Sequence, residues 1–316
     1  MSTYDTTFIQ NLKDIINTGT TCQSRAVWED GTPANVTKMF GLVNRYNSKL
    51  ENIPPIGTLR KFNALNCIDE MLWMWQKKSC NVHDLKSHIW DKWADDAGSI
   101  GKSYGFQIAT QLRLAQHLEE IPKENETDEQ KYRPVTALLD QIDYVRHELL
   151  FNPLSRRIVT DVYNIPDLAY MHLDPCVYSC VWNVTVAKDV TPDENGEVKE
   201  DNYRPVLNLI INQRSQDMIV ANNWNIFQYW VLLNILAAEA NMIPGEIVHV
   251  IADAHIYDKH MDIAKEMIED YDNGLAKGDC TIKLNNFKNF YEVKLEDFEI
   301  NGYEYVKDIK NIPVAV

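Results

Sequence analysis

Positive charge is scarce in this chain. Its 316 residues carry 31 Lys and Arg against 46 Asp and Glu, a formal net charge of -15 at pH 7. A surface that acidic repels phosphate backbones and anionic lipid, which argues against a generic nucleic-acid or membrane-surface binder. Long apolar runs are missing too, so no segment approaches the roughly 20 residues of a membrane-spanning helix. The N-terminus MSTYDTTFIQNLKDII lacks the basic and then apolar regions of a signal peptide. Six Cys are scattered at positions 22, 67, 80, 176, 180 and 280 without a CxxC pair. Reduced thiols and a cytoplasmic protein are the expectation. Neither GxGxxG nor a Walker loop occurs. His83 and His88, like His255 and His260, stand five apart, which is not the HExxH spacing, so no metal is expected.

What is present suits a globular protein with a substantial core: 45% of residues are hydrophobic and 24% charged. Phe8, Leu12, Ile15 and Ile16 predict an amphipathic first helix that stops at Gly19. Residues 20–60 read as strands and loops. A helix is expected over 61–77, with Leu65, Ile68, Leu72 and Trp75 on one side. Two more helices are expected over 105–119 and 135–150, flanking a polar surface insertion at 120–134. Residues 157–163 alternate like a strand. The segments 176–187 and 203–213 read as a long hairpin across a turn-rich DVTPDENGEVKEDN. A buried helix follows at 224–241, a strand at 246–253 and a helix at 258–270. The expectation is one α+β domain over residues 1–316, built on a mostly antiparallel sheet.

Some residues stand out chemically. Cys176 follows Pro175 at the mouth of a strand, and a thiolate there is a strong nucleophile if a cation lies near. A lone Cys is more commonly a core residue, and Cys180 on the same strand reads as one. Only ten Arg occur, and two of them, Arg156 and Arg157, are adjacent. Such a doublet can fork onto phosphate or simply be solvated. Arg214, Ser215 and Asp217 combine a cation, a hydroxyl and a carboxylate. Glu70 sits inside an apolar helix, where a carboxylate must be paired, used or turned to water. His255 and Tyr257 leave a strand end on one side and can reach a sugar hydroxyl. Trp73, Trp75, Trp90 and Trp93 are first of all core candidates.

The order of these signals is more specific than any one of them. EMLW at 70–73, HIWDKWAD at 88–95, YGFQ at 104–107, NPLSRRIV at 152–159, DLAYMHLDPCVY at 167–178, QRSQD at 213–217, NIFQYWVL at 225–232, ADAHIYDKH at 252–260 and the tail PVAV follow one another along nearly the whole chain. In this order they resemble the thymidylate synthase family, and PCVY resembles its branch in some bacilli and their phages.

The resemblance implies a C5 methyltransferase acting on dUMP with 5,10-methylenetetrahydrofolate as cosubstrate. Cys176 would be the nucleophile at C6. Glu70 would organise proton transfer through water, and Tyr104 would assist at the C5 proton. Arg214 would favour the thiolate and, with Arg25, Arg156, Arg157 and Ser215, hold the phosphate. The Arg156–Arg157 pair would come from the partner of a homodimer joined through the sheet. Gln213 would be among the substrate-binding residues, Asn225 would read the edge of the base, and His255 and Tyr257 would hold the ribose. Asp217 would hold the pterin. Arg60, Ile89, Trp90, Trp93, Ala221, Trp224 and Ala315 would line the folate site.

This chain departs from the family at VANNWN, where Ala221, Asn223 and Trp224 replace Gly and Pro-Phe. Arg60 stands for the usual Lys and Ala252 for a Gly. The wall touched by folate is therefore altered, and two products stay open. One is dTMP with dihydrofolate, by hydride transfer. The other is a 5-hydroxymethyl nucleotide, by addition of water. Asn225 rather than Asp at the base-reading position implies dUMP over dCMP. An inactive nucleotide- or RNA-binding homologue is the third reading, opposed by the retention of Cys176, Arg214, Asn225 and Glu70.

Overall fold

In the computed structural model, which describes residues 2–120, 132–188 and 203–315, the chain opens with helix α1 (Thr3–Thr18). The Ser2 side chain accepts from Asp5 N at its start, and Gly19 N donates to Ile15 O at its end. Its apolar stripe, Phe8, Leu12 and Ile15, is buried as the periodicity predicts. Strands β1 (Thr20–Val27) and β2 (Pro33–Tyr46) follow, then helix α2 (Ala64–Trp75). α2 is buried nearly all round; only Leu65, expected on its inner side, faces solvent.

The two helices expected at 105–119 and 135–150 each divide into a helix and a strand. α3 (Tyr104–Thr110) gives way to β3 (Arg113–Glu120), and β4 (Tyr132–Leu139) precedes α4 (Gln141–Phe151). β3 and β4 pair antiparallel, Leu114 opposite Leu138 and Leu118 opposite Pro134. The Leu spacing was compatible with either period, and cross-strand pairing decided it. Asp140, whose carboxylate accepts from Asp143 N at 3.0 Å, marks the true start of α4. Residues 121–131 of the expected insertion lie outside the described residues, as does the hairpin turn within 189–202.

The remaining strands are β5 (Val159–Asp161), β6 (Val177–Lys188), β7 (Tyr203–Asp217) and β8 (Ile243–Tyr257). They join β1 and β2 in a six-stranded sheet of order β1-β2-β8-β7-β6-β5. β7 and β8 run parallel, and the other neighbours are antiparallel. A parallel pair needs a crossover. Helix α5 (Asn222–Glu239) supplies it, with Ile226, Phe227, Val231 and Leu232 all buried. α6 (Met261–Asp272) and a small hairpin of β9 (Thr281–Leu284) and β10 (Phe298–Asn301), not anticipated from the sequence, complete the fold. One continuous core includes side chains of α1, α2, α5 and the sheet. The sheet also leaves Val43, Val186 and Ile210 exposed, with Val186 and Ile210 lining a shallow depression of about 520 Å³. No helix among the described residues is long and apolar enough to cross a membrane.

Candidate active site

Helix α2, the loop after it, the start of α3, the segment before β6, the start of α5 and the C-terminal tail meet at a cavity of about 350 Å³. Ten of the side chains singled out in the sequence line it: Arg60, Glu70, Ile89, Trp90, Trp93, Tyr104, Cys176, Ala221, Trp224 and Asn225. Leu173, Val220 and Ile312, which the sequence did not flag, complete the wall.

Cys176 is set by its neighbours. A register shift between Val177 and Ser179 puts one extra residue in β6. Such a bulge interrupts strand alternation and re-aims side chains. Cys180 is thus sealed in the core while Cys176 opens into the cavity. Arg214 clamps the turn before it, its Nη2 donating to Asp174 O at 3.1 Å and its Nε to Pro175 O at 3.3 Å. The backbone N–H of Cys176 donates to the Tyr104 hydroxyl at 2.8 Å. Burial pushes the Cys176 thiol up; the Arg214 guanidinium pulls it down, and Asp174 and Asp217 push it up again. Tyr104 can sit this close because Gly105 follows it. A Cβ at Gly105 would lie 2.2 Å from Ser79 O. Burial and the neighbouring Cys176 hold the Tyr104 phenol well above its usual range, so it stays a neutral donor.

Glu70 is only 4% exposed. Trp90 Nε1 donates to its Oε1 at 2.9 Å and Trp224 Nε1 to its Oε2 at 2.5 Å. Burial raises the carboxyl to about 7, while the donors Trp90 and Trp224 and the nearby Gln228 amide pull it down. The aromatic wall is built of edge-to-face contacts, Trp90 with Trp93 at 5.7 Å and with Tyr104 at 5.9 Å between ring centroids.

Asn225 is held from behind. Its Oδ1 accepts from Gln213 Nε2 at 3.1 Å and from Gln216 Nε2 at 3.3 Å. Gln213 Oε1 in turn meets His249 Nε2 at 2.7 Å. Burial drives His249 down to about 3, so it is neutral and its Nε2–H donates. With the Asn225 carbonyl engaged, the amide nitrogen is the part left to face the cavity.

Asp217 does not line the cavity. Its Oδ1 accepts from Ile219 N and Val220 N, closing the loop that leads into α5, and its Oδ2 lies 3.6 Å from His260 Nδ1. His260, fully buried, donates from Nε2 to Pro313 O at 2.7 Å, which ties the C-terminal segment beside the cavity. Ile312, rather than the expected Ala315, is the tail residue on the wall. His255 Nδ1 bonds Asp253 Oδ1 at 2.9 Å, and Asp253 also pairs with Lys38 at 2.8 Å. Tyr257 stacks edge-on to His255 at 5.0 Å. Burial raises the Tyr257 phenol to about 12, with Asp217, Asp253 and Cys176 adding to it. Ser215 lies on β7 opposite Asp253 of β8. Arg25, Arg156 and Arg157 are exposed and do not line the cavity of their own chain. Among the described residues no group of three or more His, Cys, Asp or Glu side chains is placed to hold a metal ion.

His249, Gln216, Gln228 and His260 were missed in the sequence. A signal existed for two of them. His249 interrupts the strand EIVHVIAD and Gln228 interrupts an almost wholly apolar helix. A buried polar group must find a partner.

The thymidylate synthase family model matches residues 6–316. Thymidylate synthase of Bacillus subtilis subsp. natto is 32% identical over 314 residues, 96% of each chain. Those of Bacillus mojavensis and Bacillus phage phi3T are 33% and 32% identical with the same coverage. The solved structure of thermostable thymidylate synthase A from Bacillus subtilis superposes with a TM-score of 0.77 at 30% identity, covering all of both chains. With a thiol, a buried carboxylate and an amide in one cavity, and with this match from end to end, the chain belongs to the thymidylate synthase family.

Proposed function

We propose that this chain carries out the reaction of its family, one-carbon transfer to C5 of dUMP with reduction, giving dTMP and dihydrofolate. The observation that carries this is the convergence of Cys176, Glu70, Tyr104 and Asn225 on one cavity. The Cys176 thiolate adds to C6 of the pyrimidine, and electron density moves through C5 to the C4 oxygen. C5 is then the nucleophile. The bound 5,10-methylenetetrahydrofolate supplies the one-carbon unit and the hydride. Glu70 moves protons through water at the C4 oxygen, and a carboxyl near 7 can give and take them at neutral pH. Tyr104 assists in removing the C5 proton. Loss of Cys176 from C6 releases product. Occupation of the phosphate position beside Arg214 brings a dianion near the thiol, so substrate binding and thiolate formation are coupled through that guanidinium.

Asn225 donates from Nδ2 to the C4 oxygen of uracil. In cytosine that position is an amine, also a donor, so a fixed donor rejects it. His255 and Tyr257 hold the ribose, and Gln213 supports the base. A flat pteridine would lie among Trp90, Trp93, Ile89, Leu173, Trp224 and Ile312, with Arg60 also on the wall and Asp217 holding the backbone of Val220. Ala315 closes over it with the tail. No metal enters this chemistry.

The phosphate site is completed by a second copy of the chain. Arg214 and Ser215 come from one protomer, with Arg25 from the β1–β2 region, and Arg156 and Arg157 from its partner. The exposed apolar positions Val186 and Ile210 on the sheet support that pairing. The protein acts as one domain over residues 1–316 in the cytoplasm. Hydride transfer rather than water addition is the reading supported by the likeness to thymidylate synthases along the whole chain; the Trp224 indole lines the cavity with its N–H on Glu70. Mass spectrometry of the nucleotide after incubation with dUMP and methylenetetrahydrofolate tests this. A methyl product with dihydrofolate absorbance is expected; a hydroxymethyl product without dihydrofolate would overturn it.

A further inference from the structure

Each oxygen of the Glu70 carboxylate is gripped by a different indole. Trp90, on Oε1, comes from the loop after α2. Trp224, on Oε2, comes from the first turn of α5. The Trp224 ring is itself locked. Phe62 packs edge-on against it at 5.7 Å, and its backbone carbonyl accepts from Cys67 Sγ at 3.3 Å. An indole nitrogen donates and never accepts. It can orient a carboxylate and favour its anion, but it cannot relay a proton. Protons must therefore enter and leave Glu70 through the lone pairs that the indoles leave to the cavity.

We propose that Trp224 is a positioning residue for proton transfer, its N–H fixing the plane of the Glu70 carboxylate and stabilising the anion that burial disfavours. The inference rests on the reading of Glu70 as the group that moves protons in the reaction. It also assigns a purpose to the altered wall, which makes position 224 part of the acid–base apparatus as well as of the folate slot. A phenyl ring there would fill similar volume and leave Oε2 without its donor.

The other groups facing Glu70 are Asp69 and Cys67 on its own helix, Tyr104 of α3, Gln228 and Tyr229 of α5, with Arg60 and Cys176 across the cavity. None of them changes in Trp224→Phe. A charge-assisted hydrogen bond lost from a buried carboxylate disfavours the anion, so the carboxyl must titrate at higher pH.

The test is an infrared difference titration of the full chain, following the protonated-carboxyl band that Glu70→Gln removes. In Trp224→Phe the midpoint of that band rises by about one pH unit. The limb of the kcat profile that follows the band moves with it, while KM for dUMP stays within about twofold. A midpoint unchanged from wild type overturns the proposal. If Trp224→Phe does not fold, the same titration with the indole of Trp224 replaced by benzothiophene, which keeps the shape and lacks the N–H, decides in the same way. The band needs no turnover. A wild-type chain that makes no dTMP would therefore sink the functional reading while the titration still judged the role of Trp224.

Discussion

Gln213 fixes which end of Asn225 meets the cavity. Its Nε2 donates to Asn225 Oδ1 at 3.1 Å, and its own Oε1 is tied to the buried His249 at 2.7 Å. The amide of Asn225 therefore cannot turn over without breaking bonds in a buried relay. Asn225→Asp puts an acceptor where Nδ2 was. The expected outcome is a shift of kcat/KM from dUMP toward dCMP by about tenfold or more. Competition assays with both nucleotides check it, and an unchanged preference would refute the base-reading role.

The relay itself is testable at its far end. His249→Phe leaves Gln213 Oε1 buried without a donor, a loss of roughly 1–3 kcal/mol. We expect kcat/KM for dUMP to fall by about tenfold, with discrimination against dCMP reduced. His249 also makes stability depend on acid. Its folded value near 3 lies below the unfolded 6.5, so the unfolded state binds more protons between these values. Its contribution is fully present above about 6.5 and is lost as pH falls toward 3. Chemical denaturation at several pH values should show a shallower acid loss in His249→Phe.

Glu70 carries the opposite sign. Burial raises it from 4.5 to about 7. Its contribution to stability is fully present below 4.5 and is lost as pH rises through 7. In Glu70→Gln that decline should vanish, a difference of up to ~3 kcal/mol between pH 4.5 and 8. The same variant should lose most turnover. A wild-type stability that does not fall relative to the variant over this range would show that the carboxyl is not raised.

Cys176→Ser tests the nucleophile. Turnover should fall by about three orders of magnitude or more, because a hydroxyl near neutral pH is a far weaker nucleophile than a thiolate. Binding of dUMP, followed by calorimetry, should persist. Full activity in this variant would end the proposed mechanism.

Mixing tests the shared phosphate site. Cys176→Ser and the double variant Arg156→Ala/Arg157→Ala should each be inactive. Random re-assortment of protomers gives half heterodimers with one intact site, so activity returns to about a quarter of wild type. Val186→Asp with Ile210→Asp should weaken the dimer in sedimentation and remove the recovery.

Cys176, Glu70, Asn225 and the tryptophans could be named from the sequence because their order along the chain is specific and their chemistry is local to each residue. The buried helix around 224–241 and the strand at 246–253 were legible for a related reason: a mainly apolar composition leaves a segment few places to go. Where period was ambiguous, as in 105–119, pairing with a distant strand chose between helix and hairpin. Only the tertiary structure decided which way Asn225 points, since Gln213 and Gln216 reach it from one strand and His249 holds Gln213 from a neighbouring strand joined to it by a crossover. It alone revealed that Trp224 donates to Glu70, 154 residues away in sequence. A residue type states what a side chain can donate or accept. Which partner satisfies it, and so how a buried carboxylate titrates, is settled by packing across the whole chain.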